Sequence, residues 1–159
     1  MSIIIRKATQ SDSGLLLTFI KELASYEKAE HEVTATESSL EASLFGDDST
    51  THAVICEKAG SPVGFAIYFF NYSTWLGKHG LYLEDLYITK VERGRGVGKV
   101  LLKHLAKIAV ERGCGRFEWS VLDWNEPAIN FYESLGAKPK SEWIGYQLTG
   151  QELVALAES

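Results

Sequence analysis

The chain has 159 residues, of which 45% are hydrophobic and 11% aromatic, so it can form one well-packed core and is too short for two ordinary domains. Its net charge of -5 argues against nucleic-acid binding, which normally needs a basic surface, but is compatible with a small cationic partner. No apolar stretch is long enough to span a membrane, and the start of the chain does not resemble a secretion signal. We therefore expect a single cytoplasmic domain over residues 1–159.

The two cysteines, Cys56 and Cys114, lie far apart in apolar segments. They lack the spacing of a metal site or a redox pair, and the histidines His31 and His79 have no ligand spacing either. We expect free thiols and no bound metal.

The first part of the chain predicts a strand and two helices. A strand at 3–8 is followed by a capping pattern at Thr9 and by apolar residues spaced three and four apart, which predict a helix as far as Tyr26. The capping pattern recurs at 34–37 and predicts a second, shorter helix that ends near Gly46.

The middle of the chain predicts three strands. Aromatic and β-branched residues indicate a hairpin of strands at 52–57 and 62–72, and a further strand at 81–89. Glu84 and Asp85 lie in the middle of that last strand, where a pair of acids is unusual.

The remaining residues predict a helix that ends at Gly113, a strand at 116–122, a helix over 125–136, a loosely alternating strand at 140–148 and a short final helix. From this order we expect an α/β fold with a mixed, mostly antiparallel sheet and helices on both faces. The strands on either side of the third helix should form a parallel central crossover.

The run Arg93-Gly94-Arg95-Gly96-Val97-Gly98 lies between a predicted strand and a predicted helix. Glycines let the backbone approach a ligand closely, and a helix N-terminus offers unpaired N–H groups and positive charge. The run therefore predicts an anion site suited to a pyrophosphate, with a simple tight turn as the alternative.

Two familiar nucleotide motifs do not match this run. The dinucleotide pattern GxGxxG would need glycine where Lys99 stands, and the P-loop pattern would need Ser or Thr where Val100 stands. Neither NAD nor ATP is favoured.

The pattern Arg93-x-x-Gly96-x-Gly98 resembles the pyrophosphate loop of the GNAT superfamily of acetyltransferases. Its surroundings resemble the branch of spermidine/spermine N1-acetyltransferases and thialysine N-acetyltransferases in four segments, 19–27, 75–78, 82–88 and 124–132. The likeness covers nearly the whole chain. It implies a GNAT fold, acetyl-CoA as co-substrate, a small-molecule amine as acceptor and a homodimer.

The resemblance also implies the residues that bind the cofactor. In the superfamily, a bulge in the strand before the loop exposes backbone N–H groups to the acetyl carbonyl and the pantetheine arm, here at Leu86, Tyr87 and Ile88. The other implied residues follow along the loop and the next helices: Arg93, Gly94, Arg95, Gly96, Val97, Gly98, Lys99, Asn125, Glu126, Pro127 and Ala128.

Acetyl transfer to an amine requires a base for the ammonium and an acid for the departing thiolate. The resemblance implies Glu84 as the base, directly or through water, and Tyr132 as the acid. The alternatives are an ion pair for Glu84 and a core position for Tyr132. Neither Cys56 nor Cys114 has a neighbouring base, so we favour direct attack in a ternary complex over a covalent cysteine intermediate.

Carboxylates with aromatic neighbours suit an alkylammonium through ion pairing and cation–π contacts. The implied amine-binding residues are Tyr26, Glu27, Glu84, Asp85, Glu118, Trp119, Ser120 and Trp124. Leu122-Asp123 and Lys99 depart from the polyamine pattern, so polyamines, diamines, thialysine and other lysine-like amines remain open. Two further functions also remain: a protein that binds acetyl-CoA or a polyamine without turnover, and an enzyme that acetylates proteins.

Overall fold

The structure is a computed structural model, and it describes residues 2–159. It divides into two compact units, one that ends at Ser120 and one that comprises Val121–Ser159. The strands are β1 (Ile3–Lys7), β2 (Thr51–Lys58), β3 (Ser61–Ser73), β4 (Lys78–Ile88) and β5 (Arg116–Trp119). The helices are α1 (Ser13–Tyr26), α2 (Glu37–Phe45), α3 (Val97–Glu111), α4 (Glu126–Ser134) and α5 (Gly150–Glu158).

The first unit is built on one five-stranded sheet in the order β1-β2-β3-β4-β5. The first four strands pair antiparallel, and β5 pairs parallel to β4, so the predicted mixed sheet and its parallel crossover through α3 are confirmed. The pairing of β5 runs only from Gly80↔Arg116 to Leu83↔Trp119. Among the described strands, none therefore pairs with residues 84–88 on the side of β5.

The core of this unit lies between α1 and the sheet. Its buried members are Leu16, Phe19, Ile55, Phe65, Ile67 and Tyr87. The Phe19 ring lies 5.9 Å from Phe65 and 5.7 Å from Tyr87. Full burial of one such side chain stabilises the fold by about 1.5–3 kcal/mol, so the predicted apolar stripe of α1 accounts for its place on the sheet.

Helix α3 covers the opposite face. A Cβ atom added to Gly98 would lie 3.9 Å from the Ile88 side chain. Ile88 and its neighbour Tyr87 point to opposite faces because side chains alternate along a strand. Since Tyr87 belongs to the core under α1, the sheet has helices on both faces, as predicted.

The helix caps refine the predicted boundaries. Thr36, rather than Thr34, caps α2: its hydroxyl accepts from the Ser39 N–H at 3.1 Å, and the Ser39 hydroxyl accepts from the Thr36 N–H at 2.9 Å. Before α1, the Asp12 carboxylate accepts from the Thr9 N–H at 2.7 Å. Local side-chain partners thus fix where both helices begin.

Two predicted strands differ from the structure. The strand predicted at 116–122 ends at Trp119, and the strand predicted at 140–148 does not form. The second prediction was wrong because alternation alone does not make a strand. No neighbouring strand within residues 2–159 pairs with this segment, so its backbone gains no ladder of hydrogen bonds. None of the helices described is long and apolar enough to cross a membrane.

Candidate active site

A bulge in β4 explains the pair of acids in a buried strand. Ile67 pairs with Asp85 but Tyr68 pairs with Leu83, which leaves Glu84 without a partner on β3. Leu83 and Asp85 would share a face in a regular strand, and the extra residue places them on opposite faces. Asp85 therefore lies on the α1 side beside Ile67, and Glu84 is exposed.

The surroundings of this bulge disfavour the ionised form of Asp85. Burial, followed by the charges of Glu84 and Glu27, raises the pKa of Asp85 to about 6. Burial also raises the pKa of Glu27, the residue directly after α1. A cation beside Asp85 and Glu27 would offset the cost of their buried charges, because an opposite charge favours the ionised carboxylates.

The β4 backbone after the bulge offers hydrogen-bond donors at an open edge. The Thr89 N–H donates to the Val63 carbonyl of β3 at 2.9 Å. Backbone directions alternate along a strand, so the N–H groups of Leu86 and Ile88 point away from β3, and that of Tyr87 points toward it. Backbone donors that face away from the sheet at a strand edge can bind extended ligands and polarise carbonyl groups.

The glycine run forms an open cradle before α3. Gly94 and Gly96 have φ of 78° and 82°, in the left-handed region that favours glycine, and a Cβ atom at either would meet nothing within 4 Å. Gly96 is the N-cap of α3, a helix of 15 residues that begins at Val97. Its first N–H groups and its dipole favour an anion in front of the cradle.

The charged side chains near the cradle differ in orientation. Arg95 is 61% exposed and lies 4.0 Å from Glu92, and Lys58 holds Glu92 at 2.9 Å. The Arg93 guanidinium instead lies over the rings of Tyr26 and Tyr87. The open glycine backbone, the helix N-terminus and the Arg95 charge together fit a phosphate-bearing ligand.

The predicted amine-binding residues of β5 lie beside the bulge. Trp119 pairs with Leu83, one residue before Glu84. Glu118 forms an ion pair with Arg116 at 2.9 Å, and the hydroxyls of Ser120 and Tyr82 are 2.9 Å apart. The sheet therefore brings β5 close to the acids of β4.

The second unit holds the other predicted site residues. Asn125 is buried, and its side-chain oxygen accepts from the Ala128 N–H at 3.4 Å, with Pro127 in the first turn of α4. Tyr132 is half-buried on α4, with its ring 5.8 Å from that of Phe131. Trp124 is 44% exposed. Asn125 and Pro127 thus begin the helix that carries Tyr132, as the sequence predicts.

The described side chains were also compared with metal sites and with cysteine nucleophiles. No group of three His, Cys, Asp or Glu residues among them could hold a metal ion. Cys56 is fully buried, and burial raises the pKa of its thiol to about 11. A thiol so far from ionisation is a poor nucleophile at neutral pH.

One group of contacts was missed by sequence reasoning. The Tyr87 hydroxyl donates to the Glu22 carboxylate of α1 at 2.6 Å. The available signal was helical spacing, because Phe19, Glu22 and Tyr26 follow one another at intervals of three and four residues and share a face of α1.

Known proteins similar to this chain include acetyltransferases of small amines and a bacterial protein of matching fold. The chain is 38% identical to the thialysine N-epsilon-acetyltransferase of Mus musculus, with 96% of each chain covered. It is 34% identical to the L-ornithine N5-acetyltransferase NATA1 of Arabidopsis thaliana, over 96% of this chain and 86% of that protein. The structure of an integron cassette protein of V. cholerae matches with a TM-score of 0.83 and 30% identity, covering 100% of this chain and 99% of that one.

The acetyltransferase (GNAT) family matches residues 17–137, which include most of α1, the bulged strand, the glycine cradle and α4. Members of this family use acetyl-CoA as co-substrate, and the cradle, the helix N-terminus and Arg95 fit its phosphates. The chain belongs to the GNAT acetyltransferase family.

Proposed function

We propose that this acetyltransferase acetylates the terminal primary amine of a small cationic amino acid such as thialysine or ornithine, with diamines and polyamines as the alternative class. The observation that carries the proposal is the group of Glu27, Glu84 and Asp85 at the bulge, next to the open edge of β4 and upstream of the glycine cradle. The names of the relatives support the amino-acid class, because thialysine and ornithine both carry a terminal amine on an amino-acid side chain.

The cofactor would be held by residues that follow the bulge. Gly94 to Gly98 and Arg95 would bind its phosphates, and the N–H groups of Leu86 and Ile88 would meet its pantetheine arm and acetyl carbonyl. The sequence resemblance adds Lys99 and the start of α4, from Asn125 to Ala128. When bound, acetyl-CoA supplies an activated acetyl thioester.

The acids would first bind the amine and then remove its proton. A primary alkylamine is protonated at neutral pH and cannot attack the thioester until it loses that proton. Asp85 and Glu27 would pair with the cation, and the exposed Glu84 at the bulge would accept the proton, directly or through water. The resemblance also assigns Tyr26, Glu118, Trp119, Ser120 and Trp124 to the amine side.

Tyr132 would donate a proton to the departing thiolate of CoA. A neutral phenol can donate at neutral pH, and the support for this role is the resemblance of Asn130-Phe131-Tyr132. Direct attack in a ternary complex is supported by Cys56, whose buried thiol is not ionised at neutral pH.

We further propose a cytoplasmic homodimer in which residues 1–159 act as one acetyltransferase domain. The resemblance supports the dimer, and so do exposed apolar side chains near the end of the chain, among which Ile144 is 77% and Tyr146 is 95% exposed. Sedimentation equilibrium would test this part, since a monomer at micromolar concentration would contradict it.

The proposed activity is tested by thiol release from acetyl-CoA with thialysine, ornithine, lysine, putrescine and spermidine as acceptors. We expect the highest kcat/KM with thialysine or ornithine. A higher kcat/KM with putrescine or spermidine would instead identify diamines and polyamines as the substrate class. Tight acetyl-CoA binding by calorimetry without turnover of any primary amine would contradict the enzyme proposal and identify a binding protein.

A further inference from the structure

The Arg93 side chain turns from the glycine cradle toward β4 and α1. Its Nε donates to the Ile88 carbonyl at 3.1 Å. Its guanidinium lies 4.8 Å from the Tyr26 ring centre and 5.5 Å from that of Tyr87. One side chain therefore contacts the end of β4, the end of α1 and the core, and the planar guanidinium suits both rings.

The surface on which Arg93 rests is firmly held. Tyr87 is 5% exposed and packs against Phe19 and Phe65 at 5.7 and 6.4 Å. Its hydroxyl donates to Glu22 at 2.6 Å, which fixes the ring to α1 as well as to the sheet. Arg93 thus contacts one ring that cannot easily move, Tyr87, and a second at the end of α1, Tyr26.

Arg95 provides the contrast within the same loop. It is 61% exposed, and its distance of 4.0 Å from Glu92 is at the limit of an ion pair. Glu92 is already paired with Lys58 at 2.9 Å. Of the two loop arginines, Arg95 presents its charge outward and Arg93 uses its planar group for packing.

We infer that Arg93 is a positioning residue that holds Tyr26 and the end of β4 in place for the amine, rather than a ligand of the cofactor phosphates. The inference rests on the proposed function, because Tyr26 immediately precedes Glu27, one of the acids proposed to bind the amine. Loss of the Arg93 contacts frees the end of α1 and weakens amine binding, whereas loss of Arg95 weakens phosphate binding.

The test compares Arg93→Ala with Arg95→Ala, with Arg112→Ala as matched control. Arg112 stacks on Phe70 at 4.5 Å outside the proposed site, so its loss removes a similar contact without touching the amine. Calorimetry with acetyl-CoA at low and high salt measures cofactor affinity, and steady-state kinetics measure kcat and the amine KM. S-acetylpantetheine, which lacks the pyrophosphate, serves as a second acetyl donor.

We expect Arg95→Ala to weaken acetyl-CoA binding about 10-fold and to reduce its salt dependence. We expect Arg93→Ala to raise the amine KM about 10-fold with either donor, with less than about a 3-fold change in acetyl-CoA affinity. Arg93→Lys keeps the charge but not the planar group, so it should resemble Arg93→Ala. Arg112→Ala should resemble the wild type.

The inference is overturned if Arg93→Ala weakens acetyl-CoA binding and reduces its salt dependence as much as Arg95→Ala does, or if Arg93→Lys restores the wild-type amine KM. Should Arg93→Ala not fold, Tyr26→Leu and Arg93→Lys provide the same comparison, and their effects on the amine KM should not add. A wild type that turns over no amine contradicts the proposed function alone, because the binding measurements still decide the role of Arg93.

Discussion

Replacing Asp85 by Asn should stabilise the protein at neutral pH while it impairs amine binding. Burial and two neighbouring carboxylates raise the pKa of Asp85 from 3.8 to about 6, which corresponds to about 3 kcal/mol. The folded state thus prefers the protonated acid. This preference stabilises the protein fully below about pH 4 and is lost as the pH rises toward about 6. Asparagine has a similar shape and carries no charge, so the variant avoids that loss.

Urea unfolding of both proteins between pH 4.5 and 8 measures the effect. We expect the gain in the variant's free energy of unfolding to be smallest at the lowest pH and to reach about 3 kcal/mol above pH 7. The same substitution should raise the KM for a cationic amine, because it removes a charge that the ammonium pairs with. A variant that is less stable than the wild type at pH 8, or a difference that does not change with pH, would refute the reasoning.

Asp12→Asn is the matched control, for which we expect the opposite change in stability at neutral pH. The hydrogen bond and charge of Arg6, 2.8 Å away, hold the pKa of Asp12 below its usual range despite partial burial. Its ionised form therefore stabilises the folded state above the usual pKa of an aspartate, and this contribution is lost as the pH falls through the lowered value. We expect Asp12→Asn to destabilise the protein at neutral pH and to matter progressively less in acid.

Three further substitutions, with Gly145→Ala as a control, test the sheet, the cradle and the acid. Gly64→Ala would place a Cβ atom 2.5 Å from a backbone oxygen of β4, so we expect a loss of about 1–3 kcal/mol in urea unfolding, whereas Gly145→Ala, with nothing within 4 Å, should be neutral. A Cβ atom at Gly96 would meet no other atom, but alanine is strained at the φ of 82°. For Gly96→Ala, calorimetry should therefore show weaker acetyl-CoA binding, and urea unfolding should show a loss of about 1 kcal/mol in stability. Tyr132→Phe should lower kcat in the thiol-release assay more than it changes acetyl-CoA affinity, and unchanged turnover would remove Tyr132 from the proposed acid role.

Much of the fold follows from local signals in the sequence. The apolar spacing of α1 and α3 and the glycines around α3 predict elements that the structure confirms, because these patterns depend on nearby residues. The prediction of a strand at 140–148 was wrong because a strand does not depend on nearby residues alone. A strand depends on a partner elsewhere in the chain, and its own composition does not reveal whether that partner exists.

The candidate site was predictable in residue types but not in arrangement. The sequence singles out Glu84 and Asp85, whereas only the register with β3 shows that Glu84 is the bulged residue and that Asp85 turns toward α1. Likewise, the motif places Arg93 at the cradle, but its orientation depends on Tyr26 and Tyr87, which come from other parts of the chain. Tertiary contacts of this kind leave no local signature.

Identification of the product tests the central claim most directly. The enzyme would be incubated with acetyl-CoA labelled in the acetyl group and with ornithine or thialysine, and the amine would be analysed by mass spectrometry and NMR. The account predicts a singly acetylated amine with the label on the terminal nitrogen, formed in equal amount to free CoA, and much slower formation with Glu84→Gln. Release of CoA without an acetylated amine, or a label only on the α-amine, would contradict it.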